Sequence, residues 1–80
     1  MWEEKNNSIV REFSFKDFKE AFAFMTAVAK IVDEADHHPD WSNVYNKVNI
    51  ILSTHEAGNI VTDKDRELAK KIDEVFASQS

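Results

Sequence analysis

Three histidines are the residues of this sequence best suited to proton transfer, and all three stand between predicted secondary-structure elements. His37 and His38 lie where a long helix must end, and His55 lies where a long strand ends. A histidine side chain has an unperturbed pKa of about 6.5, so it can give and take a proton near neutral pH. Loops at the ends of elements are also where a rigid scaffold presents functional groups. The histidines therefore favour general acid–base chemistry.

The spacing of these residues is compatible with more than one role. Asp33 precedes His37 by one helical turn, so its carboxylate could orient the His37 ring or stabilise its charge. A purely structural role is equally compatible, in which the His-His-Pro helix end only caps carbonyls and His55 only ends a strand. Zinc is weakly indicated, since no two histidines have the i, i+4 spacing of a metal-binding helix. Nucleophilic catalysis is weaker still, because no glycine-rich elbow frames Ser53 and Thr54.

The composition excludes several classes of protein. Eighty residues predict one domain, spanning residues 1–80. The absence of cysteine excludes a thiolate nucleophile or a disulfide scaffold, and it fits the cytoplasm better than secretion. A net charge of -5 argues against direct nucleic-acid binding. No apolar run approaches the roughly 20 residues of a membrane span, and the N-terminal residues do not form a signal peptide.

Several segments have the pattern of strands. Residues 2–5 and 8–13 flank Asn6-Asn7, and asparagine tolerates the positive φ that a tight hairpin turn demands. Residues 44–54 form the clearest strand, because one of its sides is mostly apolar and the other mostly polar. A short extended piece follows at 59–61. The apolar side of the clearest strand comprises Val44, Val48, Ile50 and Leu52.

Two segments have the periodicity of amphipathic helices. The first spans 15–35 with Ser14 as its N-cap, and Pro39 enforces a stop because the residue before proline avoids the α region. The second spans 62–76 and has Asp65 at its N3 position. The order β-β-α-β-β-α then predicts an α+β fold, in which both helices pack on one face of an antiparallel four-stranded sheet.

The helix over 15–35 is apolar over about 220° of its circumference, whereas an ordinary surface helix needs roughly 100° or somewhat more. We expect the stripe with Phe18 and Phe22 to cover the sheet, which leaves Phe24 and Ile31 for a second surface. A chain this small gains burial readily by self-association. We therefore predict a homo-oligomer, either a dimer or a tetramer, with Phe24 and Ile31 at the contact between copies.

The stretch 33–48, followed by Leu52-Ser53-Thr54-His55-Glu56, closely resembles the pterin-4a-carbinolamine dehydratase family. That family is also known as the dimerization cofactor of a homeodomain transcription factor. Its motif has an acidic residue ahead of His-His-Pro, an aromatic residue six positions beyond the proline, a later Thr-His and a final aspartate. The turn at 58–62 looks one residue longer here than in the family. The motif positions are filled by Asp33, His37, His38, Pro39, Tyr45, Thr54, His55 and Asp65.

The resemblance implies the dehydration of 4a-hydroxytetrahydropterin to quinonoid dihydropterin, which recycles the tetrahydrobiopterin used by aromatic amino acid hydroxylases. Pterin is then the substrate, and no metal or other cofactor is expected. His37 and His55 would donate or accept protons, His38 would position the pterin, and Asp33 would act through His37. The implied substrate contacts are Asp36, His37, His38, Ser53, Thr54, His55 and Glu56. Trp41, with Pro39, is either core packing or an apolar pocket wall.

A non-catalytic binding module is the alternative hypothesis. In one branch of the family the same fold stabilises dimers of a transcription factor through its helices. The broad apolar arc of the helix over 15–35 fits either self-assembly or such a protein partner. Three histidines around one pocket favour the enzyme, because an adaptor has no use for them. We therefore expect a cytoplasmic hydro-lyase that binds pterin and contacts neither nucleic acid nor membrane.

Overall fold

Four antiparallel strands and two helices form the fold of residues 2–79, which the computed structural model describes. The sheet has the strand order β1-β2-β4-β3. The Phe13 ring of β2 contacts both Phe24 of α1 and Phe76 of α2, so both helices pack on one face. The predicted α+β class and element order are confirmed. The elements are β1 (Glu3–Lys5), β2 (Ser8–Ser14), α1 (Phe18–Ala35), β3 (Asp40–Val44), β4 (Lys47–Leu52), a 3-10 turn (His55–Ala57) and α2 (Asp63–Gln79).

The hairpin between β1 and β2 turns at Asn6-Asn7, as predicted. Both asparagines have left-handed backbone, with φ of 49° and 63°. Positive φ at both central residues defines the tight turn that matches the twist of antiparallel strands. Lys5 consequently pairs with Ser8 across the turn.

The predicted strand over 44–54 is wrong in its extent, because this region contains a second hairpin. Strands β3 and β4 pair across a turn at Tyr45 and Asn46. Tyr45 has φ of 51°, a conformation that a bulky residue rarely adopts. Asn43 compensates, because its Nδ2 donates to the carbonyl oxygens of Tyr45 at 3.1 Å and Lys47 at 2.9 Å. No glycine stands at this turn and its left-handed residue is a tyrosine, so Asn46 is its one turn-forming residue.

The predicted extended piece at 59–61 also differs from the structure. It contributes one isolated bridge, in which Ile60 pairs with Thr54 beyond the end of β4. The fourth strand of the predicted order is therefore β4 itself, and the third is β3, which precedes it. The buried side chains of β4 are as predicted, with Val48, Ile50 and Leu52 all in the core, whereas Val44 is exposed.

Helix α1 begins at Phe18, and its N-cap is Asp17, not Ser14. The Asp17 carboxylate accepts a hydrogen bond from the Glu20 backbone N–H at 2.9 Å. The Glu20 carboxylate in turn accepts one from the Lys16 N–H at 3.1 Å. This arrangement is a variant of the capping box, because the Glu20 carboxylate accepts from the residue before the N-cap and not from the N-cap itself. Ser14 is instead the last residue of β2, so three residues separate this strand from the helix, where the sequence pattern indicated one.

The C-terminal end of α1 is set by Asp36, three residues before Pro39. Asp36 has left-handed backbone, with φ of 51°, and its N–H reaches the carbonyl oxygens of Asp33 and Val32. A left-handed residue at this position satisfies carbonyls that the helix leaves free. The chain then crosses His37 and His38 and enters β3 directly after Pro39. The His-His pair therefore occupies a short connection between a capped helix and an edge strand.

Helix α1 covers the sheet with a different stripe from the predicted one. Phe24 and Val28 are completely buried, and the ring centroids of Phe24 and Phe13 are 4.9 Å apart. Phe18 and Phe22 are instead 48% and 56% exposed, and they stack on each other. The prediction that Phe24 lies at a contact between copies is therefore wrong. The buried residues of α1 are Ala21, Phe24, Val28 and Val32.

Helix α2 follows the sequence pattern closely. Thr62 precedes its first residue, and the Thr62 N–H donates to the Asp65 carboxylate at 2.9 Å, as a capping box requires. Leu68, Ala69 and Ile72 are buried against α1 and the sheet. Neither helix of residues 2–79 is long and apolar enough to cross a membrane.

Candidate active site around His37 and Asp65

Asp65 connects the two segments that carry histidines. Its side chain is completely buried, and its Oδ1 lies 2.6 Å from Nε2 of His37. Its Oδ2 accepts hydrogen bonds from the Thr54 hydroxyl at 2.8 Å and from the Thr62 N–H at 2.9 Å. Thr54 is the residue before His55 in the chain. One carboxylate on the first turn of α2 therefore fixes both the loop after α1 and the end of β4.

Asp65 is held in its ionised form by these contacts. Burial alone raises the pKa of a carboxyl group, because it penalises the charged form. Hydrogen bonds from His37, the Thr62 backbone and Thr54, together with the nearby His37 charge, outweigh that effect and lower the pKa of Asp65 below its usual value. Asp65 is therefore a carboxylate at neutral pH.

The ionised Asp65 determines which nitrogen of His37 carries a proton. A carboxylate only accepts hydrogen bonds, so Nε2 of His37 must be the donor. Nδ1 is then the ring nitrogen that is unprotonated in neutral His37 and can take up a proton. The resulting imidazolium would lie against the Asp65 charge. Thr54 has one hydroxyl proton and gives it to Asp65, so the Thr62 hydroxyl donates to Thr54.

The other two histidines are exposed. His38 follows the buried His37 in the connection to β3. His55 opens the 3-10 turn, and its Nδ1 lies 2.9 Å from Oδ1 of Asn59. His55 is joined to His37 only indirectly, through Thr54 and Asp65. This arrangement gives one buried, carboxylate-bound histidine and two histidines whose rings reach solvent.

The structure does not contain the predicted contact between the Asp33 carboxylate and the His37 ring. Asp33 is exposed on the last turn of α1, and no hydrogen bond within residues 2–79 links its carboxylate to the His37 ring. Asp65, 28 positions away, occupies that role instead. The sequence pattern marks Asp65 as a helix-capping residue in a Thr-x-x-Asp pattern, which is correct. The family motif, in which Asp65 is the final aspartate, associates it with the histidines without indicating a contact with His37.

The remaining predicted site residues surround this network in two groups. Asp36 caps α1 and is exposed beside His37. Glu56 follows His55 and is exposed, with Lys64 3.8 Å away. Ser53 is half-buried ahead of Thr54. Pro39 is half-buried, and Trp41 packs against the hydrophobic core. Core packing therefore accounts for Trp41, and its role as a pocket wall stays a prediction.

Two open depressions flank the Asp65 network, and both include Lys64. One has a volume of about 240 Å³ and contains His37 in its wall. The other, of about 390 Å³, contains Thr54 and Glu56. A larger depression of about 470 Å³ lies between α1 and α2, and none of the predicted site residues lines it. Within residues 2–79, no group of three histidine, aspartate or glutamate side chains is placed to hold a metal ion.

Comparison with known proteins gives a consistent result. The family model described as pterin 4 alpha carbinolamine dehydratase matches residues 1–75. A protein of Prochlorococcus marinus (strain MIT 9515), provisionally named a pterin-4-alpha-carbinolamine dehydratase, is 52% identical over 75 residues, which are 94% of this chain and 77% of that protein. A protein of Paraburkholderia xenovorans (strain LB400) with the same provisional name is 58% identical over 71 residues, which are 89% of this chain and 73% of that protein.

Two solved structures are similar in fold. A transcriptional coactivator/pterin dehydratase from Brucella melitensis superposes with a TM-score of 0.88 at 41% identity, covering 92% of this chain and 80% of that one. A pterin dehydratase-like protein identified as a RuBisCO assembly factor in the alpha-carboxysome has a TM-score of 0.76 at 24% identity, covering 94% and 86%. The second shows the fold alone. The fold and the sequence matches together define the class: the chain belongs to the pterin 4 alpha carbinolamine dehydratase family.

Proposed function

We propose that this protein is a hydro-lyase that converts 4a-hydroxytetrahydropterin to quinonoid dihydropterin and water in the cytoplasm. Family membership supports the substrate class. The observation that carries the proposal is the double contact of Asp65, which bonds to His37 and to the residue before His55. That contact couples the two histidine-bearing segments through one ionised carboxylate.

The reaction requires two proton movements. The N5–H proton of the pterin leaves, the bond between C4a and the hydroxyl oxygen breaks, and the hydroxyl departs with an added proton as water. A C4a–N5 double bond forms in the product. Protons, atoms and electrons then balance without any oxidant or reductant. One base and one acid are sufficient, and each typically contributes about 10²–10⁴-fold to the rate.

His37 is the better candidate for the base. Its Nε2–H is committed to Asp65, so Nδ1 is the nitrogen that takes the N5 proton. The imidazolium formed in that step lies against the Asp65 carboxylate, which stabilises the new charge. His37 is also largely buried, so solvent screens this attraction less than at an exposed pair.

His55 is the candidate for the acid, and His38 the candidate for positioning the pterin ring. Both are exposed and therefore accessible to a substrate, and neither of them lines the two depressions beside Asp65. The family resemblance implies that the bound pterin is lined by Asp36, Ser53, Thr54 and Glu56. The chemistry uses side-chain protons alone, so we propose no metal and no further cofactor.

A stopped-flow assay tests the proposal directly. Purified protein is mixed with freshly generated 4a-hydroxytetrahydropterin, and the appearance of quinonoid dihydropterin is followed by its absorbance. Acceleration above the spontaneous rate, proportional to protein concentration, is the expected result. A double variant lacking both His37 and His55 is the matched control, and far-ultraviolet circular dichroism checks that it keeps the sheet and the helices. A wild-type rate equal to the spontaneous rate would refute the proposal.

A second function is favoured by the exposed aromatic pair on α1. Phe18 and Phe22 stack with ring centroids 5.7 Å apart while both remain about half exposed. Exposed large apolar side chains that lie together mark contact surfaces. We propose that a second copy of the chain covers this pair, because a chain of 80 residues gains much from added burial. A different protein partner, of the kind that a coactivator binds, is the competing occupant.

A further inference from the structure

The side chain of Asn59 contacts a histidine that the proposed reaction uses. Its amide oxygen lies 2.9 Å from Nδ1 of His55. The two residues are four positions apart and belong to the loop that joins β4 to α2. Neither the composition nor the spacing of the sequence indicates this contact.

The backbone around Asn59 fixes where its side chain points. Asn59 has left-handed backbone with φ of 61°, and its N–H donates to the Thr54 carbonyl oxygen at 3.0 Å. Gly58, also left-handed, donates its N–H to the His55 carbonyl oxygen at 3.0 Å. Thr54 N–H donates to the Ile60 carbonyl oxygen at 2.8 Å. Three backbone bonds therefore close this turn on Thr54, which contacts Asp65, and on His55.

The contact determines the protonation of neutral His55. An amide oxygen only accepts hydrogen bonds, so the ring must carry its proton on Nδ1. Nε2 is then the nitrogen that exchanges protons with a ligand. His37 has the opposite arrangement, with its proton on Nε2 and Nδ1 free. The two histidines are thus held in opposite tautomers by two different acceptors, one charged and one neutral.

We infer that Asn59 is a positioning residue for dehydration: it holds the His55 ring with Nε2 directed at the departing hydroxyl. The inference rests on the proposed function, since it assigns a role to Asn59 within that reaction. Asn59 acts through His55 and does not itself touch the reacting atoms. A neutral acceptor suits an acid, because it orients the ring without the charge that would hold the proton back.

A purely structural role for Asn59 would be to supply a left-handed residue for the turn. Glycine adopts that conformation most easily, and aspartate is also tolerated there. Asn59→Gly therefore keeps the left-handed backbone and removes the side-chain oxygen that accepts from His55. Asn59→Asp keeps the left-handed backbone and also an accepting side-chain oxygen. The structural role predicts that Asn59→Gly behaves like the wild type in every measurement.

Two measurements separate the positioning role from the structural one. The ¹⁵N chemical shifts of the His55 ring report which nitrogen carries the proton, and they need no substrate. We expect an Nδ1–H ring in the wild type and in Asn59→Asp, and a shift toward Nε2–H in Asn59→Gly. We expect kcat of Asn59→Gly to fall about two- to tenfold, the factor that one ordinary hydrogen bond supplies. KM should change less than about twofold, since substrate contacts remain.

The results can overturn the inference in distinct ways. A wild-type His55 ring with its proton on Nε2 refutes the assigned contact, whatever the activity. A switched tautomer in Asn59→Gly with unchanged kcat refutes the role in catalysis. Failure of Asn59→Asp to retain the Nδ1–H ring refutes the acceptor as the cause of the tautomer. A wild-type protein with the Nδ1–H ring but no dehydration overturns the proposed function, and with it the role of Asn59 in that reaction.

Discussion

Nε2 of His37 and Oδ1 of Asp65 lie 2.6 Å apart, although 28 positions of sequence separate the two residues. Both are almost completely buried, which is uncommon for a charged side chain unless it is paired. The pair lies where the end of α1 meets the first turn of α2. The fold therefore brings a helix C-terminus and a helix N-terminus together around one buried histidine–carboxylate hydrogen bond, and Thr54 joins the end of β4 to it.

Replacing each proposed proton-transfer residue should separate catalysis from folding. We expect His37→Ala and His55→Ala each to lower the dehydration rate at least about tenfold, since general acids and bases typically contribute more than that. Asp33→Asn is the matched control, because Asp33 is exposed and its carboxylate forms no hydrogen bond with the His37 ring. It should change the rate less than about twofold. Stopped-flow rates and far-ultraviolet circular dichroism are the measurements. Wild-type rates in both histidine variants would refute the acid–base assignment.

The Asp65 carboxylate should make stability depend on acid pH. Its pKa in the folded chain lies below the ordinary value of 3.8, so the unfolded chain binds the proton more tightly. The stabilisation is therefore complete above the ordinary value and is lost as pH falls through the lowered pKa. Urea unfolding of the wild type and of Asp65→Asn should differ most near neutral pH and converge in this acid range. A difference that stays constant down to the acid limit would contradict the ionised assignment.

The parts of the fold that the sequence pattern predicted well are those with local signals. Asn6-Asn7 marks a turn by its tolerance of positive φ, and the Thr62-x-x-Asp65 pattern marks the start of α2. The pattern does not predict the Tyr45 turn, because a tyrosine rarely adopts left-handed backbone and is stabilised there by a hydrogen bond from the Asn43 side chain. Such contacts between side chain and backbone are invisible to periodicity.

The candidate site divides in the same way. The histidines were recognised by residue type and by a family motif, and the chain does belong to that family. Sequence spacing pairs His37 with Asp33, because spacing reports only neighbours on the same helix. Asp65 approaches from another helix, and Asn59 from a loop whose shape depends on three backbone bonds. Tertiary contacts of this kind follow from the packing of elements, which the pattern of one helix cannot determine.

The apolar pattern of helix α1 likewise does not determine which of its residues enter the core. Its apolar arc is so broad that two stripes could cover the sheet, and only the packing selects Phe24. Phe24 is completely buried and contacts the rings of Phe13, Phe15 and Phe76. Phe24→Ala should therefore lower the free energy of unfolding by about 3–5 kcal/mol, the usual cost of removing a core phenylalanine.

Chemical denaturation at fixed protein concentration measures this loss. The matched control is Phe22→Ala, which removes the same atoms from an exposed position of the same helix. It should cost less than about 1 kcal/mol in the monomer, because a half-exposed ring has little burial to lose. Equal losses in the two variants would contradict the assignment of Phe24 to the core.

The exposed Phe18 and Phe22 pair predicts how copies of the chain meet. Placing a carboxylate in an apolar contact is costly unless it is paired. Phe22→Asp should therefore raise the dissociation constant of the oligomer at least about tenfold, which corresponds to about 1.4 kcal/mol. Ala23→Asp introduces the same charge at the neighbouring exposed position and should leave the dissociation constant within about threefold of the wild type.

Sedimentation equilibrium at micromolar concentration measures both variants beside the wild type. A wild-type chain that sediments as a monomer refutes self-association. If the wild type is an oligomer that Phe22→Asp does not weaken, the contact lies on another surface of the molecule. If a monomeric wild type binds a different protein through the Phe18 and Phe22 pair, the surface is real and its occupant was wrongly assigned. Phe24→Ala is the control for simple loss of stability. Because Phe24 faces the sheet, this variant should lower the thermal stability at every protein concentration. Phe22→Asp should lower the thermal stability only at concentrations where the wild type is assembled.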